Sequence, residues 1–199
     1  MTKYVLNSGG IKRHHDLKRK FHQEIVKGLG DKPKFLLCNF AQGREYWEPK
    51  FAGYSSTITE DMPDSVKPTF ELATPDRFVQ QCKDADVIYF HGGDCDLMFY
   101  WMRKFDYLSL FKDKVVVTNS ASSCMVASSY YTCDWRECQD GFGILPIKFI
   151  PHYDSDFGND DPRGPIDWEK ARRELEDYGD KTLPVHALKE GEFIEYTIS

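Results

Sequence analysis

A serine that follows a buried strand and opens a helix is the residue of this chain best suited to covalent chemistry. Three valines at positions 115–117 are followed by Thr118, Asn119 and Ser120, and then by small residues and helix formers. This order of strand, sharp turn and helix is typical of a nucleophile elbow, which holds a hydroxyl at the edge of a sheet. The helix N-terminus beside it favours developing negative charge. The alternative is that Ser120 only caps the helix, as serine often does.

Two further segments at predicted strand ends carry groups that a nucleophilic serine needs. Gly92 and Gly93 follow an apolar strand, and paired glycines let backbone N–H groups approach a carbonyl oxygen, as an oxyanion hole requires. The alternative there is a tight turn in which Asp94 caps the next helix. His152 lies just beyond an apolar strand and Pro151, where it could act as a general base. A purely structural histidine is the alternative.

A carboxylate between the last two predicted strands is the fourth candidate. Glu190 could orient an imidazole and stabilise its charge, although an acidic hairpin turn is the commoner use of such a segment. Other residues remain open for these roles: Cys124 for the nucleophile, His91 and His186 for the base, and Glu192, Asp134 and Asp154 for the carboxylate. We expect Cys124 to point away from the turn, because it lies about one helical turn beyond Ser120.

The elements that must position these residues alternate between strands and helices. Strands are predicted at 4–7, 34–40, 69–73, 86–91, 144–150 and 193–198, besides the valine strand. Helices are predicted at 12–29, 44–54, 95–105 and 167–178, with another ending near residue 83. Repeated β-α-β units with buried strands predict an α/β fold, a mostly parallel sheet between helical layers, in one domain over residues 1–199. Function collects at the carboxyl ends of such strands.

Composition and charge narrow the possible partners. The 199 residues are 41% apolar and 29% charged, as in a globular domain. The formal net charge of −6 argues against nucleic acid as the main ligand. We expect no signal peptide, and the sequence contains no apolar run of about 18 residues, so we expect a cytoplasmic monomer or homodimer without a membrane partner. The six cysteines form no C-x-x-C pair, so we expect reduced thiols, no metal site and no cofactor.

Taken in order, these segments resemble the peptidase S51 (aspartyl dipeptidase) family over nearly the whole chain. The matching motifs are Ser8-Gly9-Gly10 at the opening, Gly92-Gly93-Asp94 for the family's Gly-Gly-Asn, Ser120-Ala121 for Ser-Ala-Gly, Pro151-His152-Tyr153 for Pro-His-aromatic, and Glu190-Gly191 followed by Phe193-Ile194. Each motif is short, but their order and spacing together make the match specific. The resemblance implies a three-layer α/β/α, flavodoxin-like fold similar to class I glutamine amidotransferases.

The resemblance also implies roles for individual residues. Ser120 would be the nucleophile, His152 the base and Glu190 the acid that orients it. The implied oxyanion hole lies at Gly92, Gly93 and Ala121. The expected activity is that of a serine peptidase that hydrolyses short peptides through an acyl-enzyme. The alternatives are a hydrolase of a non-peptide small amide, or a catalytically silent member of the fold that binds a small molecule or a partner.

This chain departs from the family pattern near the serine and in the region of the substrate. Thr118 and Ser122 stand where the pattern has glycine, and these substitutions are what support the silent alternative. Residues 162–167 replace the family's Gly-Glu-Thr-Arg segment, so a preference for an N-terminal aspartate is not carried over. The residues expected to contact substrate are Asp94, Asp134 and Arg163.

Overall fold

The computed structural model describes residues 1–198, which form two β-sheets and seven α-helices. In chain order the strands are β1 (Thr2–Asn7), β2 (Lys34–Cys38), β3 (Thr69–Leu72), β4 (Val87–Phe90), β5 (Val115–Asn119), β6 (Ala127–Thr132), β7 (Glu137–Asp140), β8 (Leu145–Ile150), β9 (Val185–Ala187) and β10 (Phe193–Ile198). The helices are α1 (His15–Val26), α2 (Trp47–Asp61), α3 (Phe78–Asp84), α4 (Cys95–Met102), α5 (Tyr107–Phe111), α6 (Ala121–Val126) and α7 (Trp168–Asp177).

The first sheet has the strand order β10-β1-β5-β4-β2-β3. Its strands pair in parallel except at one edge, where β10 runs antiparallel to β1. Strands β4 and β5 are buried on both faces, because Val117 packs with α1 and α2 while Val116 packs with α3, α4 and α5. This is why both strands read as continuous apolar runs. The flavodoxin-like α/β fold class predicted from the sequence is confirmed.

A second sheet, with the order β7-β6-β8-β9, was not predicted from the sequence. Strands β6, β8 and β9 pair in parallel, and β7 runs antiparallel to β6. Strand β6 follows α6 directly at Ala127, with no turn residues between them. The hairpin to β7 turns at Arg136, which has a φ of 58° and no glycine to mark it. Tyr130 and Phe149 of this sheet join the same core cluster as Phe90 and Val116.

Several element boundaries differ from the predicted ones. Helix α1 is shorter than the predicted 12–29, because Gly10 adopts a left-handed conformation and Ile11–Arg13 forms a separate 3-10 turn. Helix α2 begins at Trp47, after a 3-10 turn at Arg44–Tyr46, and extends well beyond the predicted end at residue 54. Helix α5 was not predicted. Within residues 1–198, no helix combines the length and apolar character needed to cross a membrane.

Candidate active site

Ser120 occupies the sharp turn between β5 and α6. Its φ of 52° and ψ of −112° put a non-glycine residue in a conformation that L-residues rarely adopt. The Ser120 carbonyl accepts a hydrogen bond from the N–H of Ser123 at 2.8 Å and so begins α6. Its hydroxyl makes no capping bond to the helix. The side chain therefore does not act as an N-cap, and Oγ is left for another partner.

The hydroxyl residues that replace glycine around this turn are buried and hydrogen-bonded. Thr118 Oγ1 lies 2.9 Å from Ser123 Oγ. Ser122 Oγ donates to the carbonyl of Phe90 at 2.9 Å and accepts from the N–H of Asn119 at 2.7 Å. Both side chains are fully buried. Threonine and serine thus fit these positions, and their hydroxyls connect the turn to β4 and to α6.

His152 is the partner of the Ser120 hydroxyl. Its Nε2 lies 2.8 Å from Ser120 Oγ, and its Nδ1 lies 3.0 Å from Glu190 Oε1. The imidazole is 10% exposed, and the Phe157 ring stacks on it with ring centroids 4.3 Å apart. Burial lowers the pKa of His152, although its hydrogen bond to Glu190 and the charge of that carboxylate act to raise it. The imidazole is therefore neutral near pH 7 and able to accept a proton.

Glu190 makes its main contact with His152. Its second oxygen, Oε2, lies 3.4 Å from Nη1 of Arg13. Two of the alternative carboxylates named from the sequence, Glu192 and Asp154, have other partners. Glu192 accepts a hydrogen bond from the N–H of Lys189 at 2.8 Å, and Asp154 forms an ion pair with the Lys189 ammonium at 2.6 Å. Of these three carboxylates, Glu190 is the one beside the imidazole.

The turn that follows β1 holds the histidine and glutamate loops together. Ser8 Oγ accepts from the backbone N–H of His152 at 2.7 Å and donates to the carbonyl of Leu188 at 2.7 Å. Asn7 Nδ2 donates to the carbonyl of Glu192 at 3.0 Å. Asn7 and Ser8 are fully buried. Their hydrogen bonds fix the backbone of His152, which has a φ of 55°, and position it relative to the turn that carries Glu190.

Gly9 and Gly10 bring the backbone of this turn against the same two side chains. Both have positive φ, 113° and 63°. A Cβ on Gly9 would overlap the His152 ring, and one on Gly10 would lie 2.5 Å from the Glu190 carboxyl carbon. Glycine is therefore required at both positions by backbone conformation and by space. This explains the two glycines of the Ser8-Gly9-Gly10 motif.

The backbone around Gly92 and Gly93 also approaches Ser120 closely. A Cβ on Gly92 would lie 2.7 Å from the carbonyl oxygen of Asn119, and Gly93 has a φ of 149°. Ala121, the first residue of α6, lines the same cavity as these glycines. Among residues 1–198, neither the N–H of Gly93 nor that of Ala121 donates a hydrogen bond. Both groups remain available to a ligand oxygen.

A cavity of about 680 Å³ opens over these residues. Asp94 and Asp134 lie on its wall, at positions exposed to solvent. Asp94 also caps α4 by accepting from the N–H of Leu97 at 2.8 Å. Partial desolvation and the nearby charge of Asp94 raise the pKa of Asp134, although the positive charge of Arg163 acts to lower it. The two carboxylates give this part of the cavity a negative potential.

The structure does not bring Arg163 to the cavity. Its Nε donates to Asp161 at 2.8 Å, and its Nη2 donates to the carbonyl of Asp134 at 2.7 Å. It is absent from the cavity wall. The expectation that Arg163 contacts substrate is therefore not met, because a carboxylate of its own loop and a backbone carbonyl already hold the guanidinium.

The rival residues named from the sequence are not placed for the same chemistry. His91 is fully buried, and neither ring nitrogen has a hydrogen-bond partner. His186 Nε2 lies 2.6 Å from the hydroxyl of Tyr196. Cys124 does line the cavity, but burial raises the pKa of its thiol well above the usual value, so the reactive thiolate is scarce. Within residues 1–198, no three side chains of His, Cys, Asp or Glu are grouped so that they could hold a metal ion.

Comparisons of sequence with known proteins provide no assignment. The sequence matches no protein-family model. A search of the curated proteins likewise finds no match.

Comparison of the structure does find relatives. The chain is similar to the crystal structure of a peptidase from an acI-B1 Actinobacterium, with a TM-score of 0.65 and 20% identity, over 98% of this chain and 83% of that one. It is also similar to a candidate Peptidase E protein from Listeria monocytogenes EGD-e, with a TM-score of 0.62 and 12% identity, over 100% of both chains. At these identities the likeness shows the fold. The chain thus has an α/β fold shared with proteins named as peptidases.

Proposed function

We propose that the protein is a serine peptidase that hydrolyses short peptides, and that it is a divergent member of the peptidase S51 family. One observation carries this proposal: the hydrogen-bonded series from Ser120 Oγ through the His152 ring to Glu190 Oε1, at 2.8 and 3.0 Å. Nucleophile, base and orienting acid need this order and these distances. The peptidases of similar fold support the assignment, and the strained turn at Ser120 fits a nucleophile elbow.

In the first half of the reaction, His152 Nε2 takes the hydroxyl proton of Ser120 while Oγ attacks the carbonyl carbon of the scissile bond. The resulting oxyanion is stabilised by the N–H groups of Gly93 and Ala121, in a hole to which Gly92 gives close backbone access. The imidazolium then gives its proton to the departing amine, and the carbon–nitrogen bond breaks. Glu190 stabilises the imidazolium throughout.

In the second half, a water molecule attacks the ester carbonyl of the acyl-enzyme. His152 takes one proton from the water, and the tetrahedral intermediate collapses to a free carboxylic acid. The proton returns from His152 to Ser120 Oγ, so the enzyme is restored. The neutral state of His152, which burial favours, suits both proton transfers.

The proposed substrate is a short peptide with a free amino terminus. A cavity of about 680 Å³ is of the size that holds a small ligand rather than a folded chain. Asp94 and Asp134 on its wall would attract the ammonium group of the peptide. The same catalytic groups would also suit a non-peptide small amide, so the test must compare the two substrate classes.

Fluorophosphonate labelling followed by a substrate screen tests the proposal. We expect the unaltered protein and Cys124→Ala to be labelled, and Ser120→Ala to remain unlabelled and to lose roughly 10³- to 10⁶-fold in turnover while it keeps its fold by circular dichroism. A dipeptide library and a panel of non-peptide amides, assayed by amine release, separate the two substrate classes. Hydrolysis by Ser120→Ala at the unaltered rate would refute the nucleophile. Turnover of the amide panel alone would refute the peptidase assignment.

A further inference from the structure

One part of the cavity wall has not been given a role by the proposed mechanism. Beyond the glycine pair, the wall is formed by side chains from α1, α2 and β4 and from the 3-10 turn at Ile11–Arg13. These are Lys12, His22, Tyr54, Ile58 and Tyr89. Aromatic and aliphatic groups dominate this region, and Lys12 provides an ammonium group at its surface.

The aromatic ring of Tyr54 is held in place under this ammonium group. Lys12 Nζ lies 4.6 Å from the centroid of the Tyr54 ring. The same ring stacks on the buried imidazole of His91, with centroids 3.5 Å apart and planes 9° from parallel. A cation over a fixed ring is attracted by the π face, so Lys12 has a preferred position at the cavity although its side chain is exposed.

A second ammonium group reaches the same region through Gln42. Lys50 Nζ donates to Gln42 Oε1 at 2.5 Å, and the amide nitrogen of Gln42 donates to the carbonyl of Gly92. Burial and the nearby charge of Lys12 lower the pKa of Lys50. The two positive charges therefore repel one another beside the glycine pair.

No carboxylate within residues 1–198 forms an ion pair with Lys12 or Lys50. The other charged groups around this wall are paired. Asp61 lies 2.6 Å from His22 and 3.4 Å from Lys18, and Arg13 lies close to Glu190. Two amino groups that repel each other without a counter-charge are stabilised by a bound anion.

We propose that Lys12, supported by Lys50, binds the terminal carboxylate of the substrate. This inference rests on the proposed function and deepens it. With Asp94 and Asp134 on the same cavity wall, the charges suit a peptide that carries both a free amino group and a free carboxylate. The rings of Tyr54 and Tyr89 and the side chain of Ile58 line the cavity near Lys12 and favour an apolar or aromatic residue next to that carboxylate. The substrate class is thus a zwitterionic short peptide with an apolar carboxyl-terminal residue.

Calorimetric titration of the Ser120→Ala protein tests this subsite without turnover. The probes are Ala-Phe and its carboxyl-terminal amide. We expect the amide to bind about tenfold or more weakly, because a charge-assisted contact is lost. Lys12→Met should weaken the binding of Ala-Phe by about tenfold and leave the binding of the amide unchanged. The affinities of the two probes should then become similar. Lys20→Met, which removes the same charge from an exposed position on α1, should change neither affinity.

Three outcomes would overturn the subsite: equal binding of acid and amide, no binding of Ala-Phe, or an unchanged difference in Lys12→Met. The proposed function is tested separately, and it would be refuted if fluorophosphonate did not label Ser120. A protein that is labelled but shows no preference for the free carboxylate would keep its assignment as a serine peptidase and lose the Lys12 subsite.

Discussion

Two buried histidines, each just beyond a strand that faces the core, show what distinguishes a candidate base from a structural residue. His152 follows β8 and has Ser120 on one ring nitrogen and Glu190 on the other. His91 follows β4, and its nitrogens have no partner among residues 1–198 while its ring stacks on Tyr54. Burial lowers the pKa of both. Burial therefore favours the neutral form of either imidazole, whereas only the ring of His152 has a serine hydroxyl and a carboxylate as hydrogen-bond partners.

The largest difference in activity is expected between variants in which one or the other histidine is replaced by an apolar residue. We expect His152→Ala to lower kcat/KM for a peptide found in the screen by about 10³-fold or more, because the serine loses its base. His91→Phe, which keeps an aromatic ring against Tyr54, should stay within about threefold of the unaltered protein. Initial rates at pH 7.5 and thermal unfolding of each variant provide the measurement. Equal losses in the two variants would show that the hydrogen-bond pattern does not identify the base.

The next contrast is between the two glutamates of one turn. Glu190→Gln keeps the shape of the side chain but removes the charge beside the imidazole, and we expect kcat to fall between about 10²- and 10⁴-fold. Glu192→Gln alters a carboxylate that accepts a bond from the N–H of Lys189 and should change kcat by less than about threefold. The measurement is kcat for the two variants, each of which should keep the melting temperature of the unaltered protein. A fully active Glu190→Gln would mean that another carboxylate orients His152.

The smallest expected effect concerns stability at acid pH. The pKa of His91 is held well below its usual value by burial, whereas in the unfolded chain it is about 6.5. Between these two values the unfolded state binds more protons, so the free energy of unfolding decreases as the pH falls below about 6.5. Urea unfolding between pH 7.5 and 5 should show a shallower decrease for His91→Phe. Some slope will remain, since burial also lowers the pKa values of His22 and His152. Identical slopes would contradict the assignment of a neutral, buried His91.

The sequence predicts the first sheet better than it predicts the second sheet. Buried parallel strands such as β4 and β5 produce continuous apolar runs, and the motifs around Ser120, His152 and Glu190 are local. Strand β6 carries no such signal, because it follows α6 without a turn and its hairpin closes on Arg136 in a left-handed conformation.

Contacts between segments that are distant in the chain, like strand β6, could not be predicted from the sequence. The hydrogen bonds of Ser8 to His152 and Leu188 join positions far apart in the chain. Arg163 was expected at the substrate, yet the nearby Asp161 carboxylate binds it instead. Nothing in the local sequence shows that the ammonium group of Lys12 lies over the ring of Tyr54. Such contacts depend on tertiary packing, which cannot be predicted from the local sequence of a single segment.

The turn at residues 7–10 also bears on when the site forms during synthesis. This turn precedes Ser120 and His152 in the chain, but the carbonyl of Gly9 accepts a hydrogen bond from the N–H of Gly191, and β10 pairs with β1. A nascent chain that already contains Ser120 and His152 still lacks Glu190 and the strand that anchors it. The contacts of Ser120 with His152 and of His152 with Glu190 can therefore form together only after residues 190–198 have been made and have joined the edge of the sheet, so a nascent chain without them does not carry this arrangement.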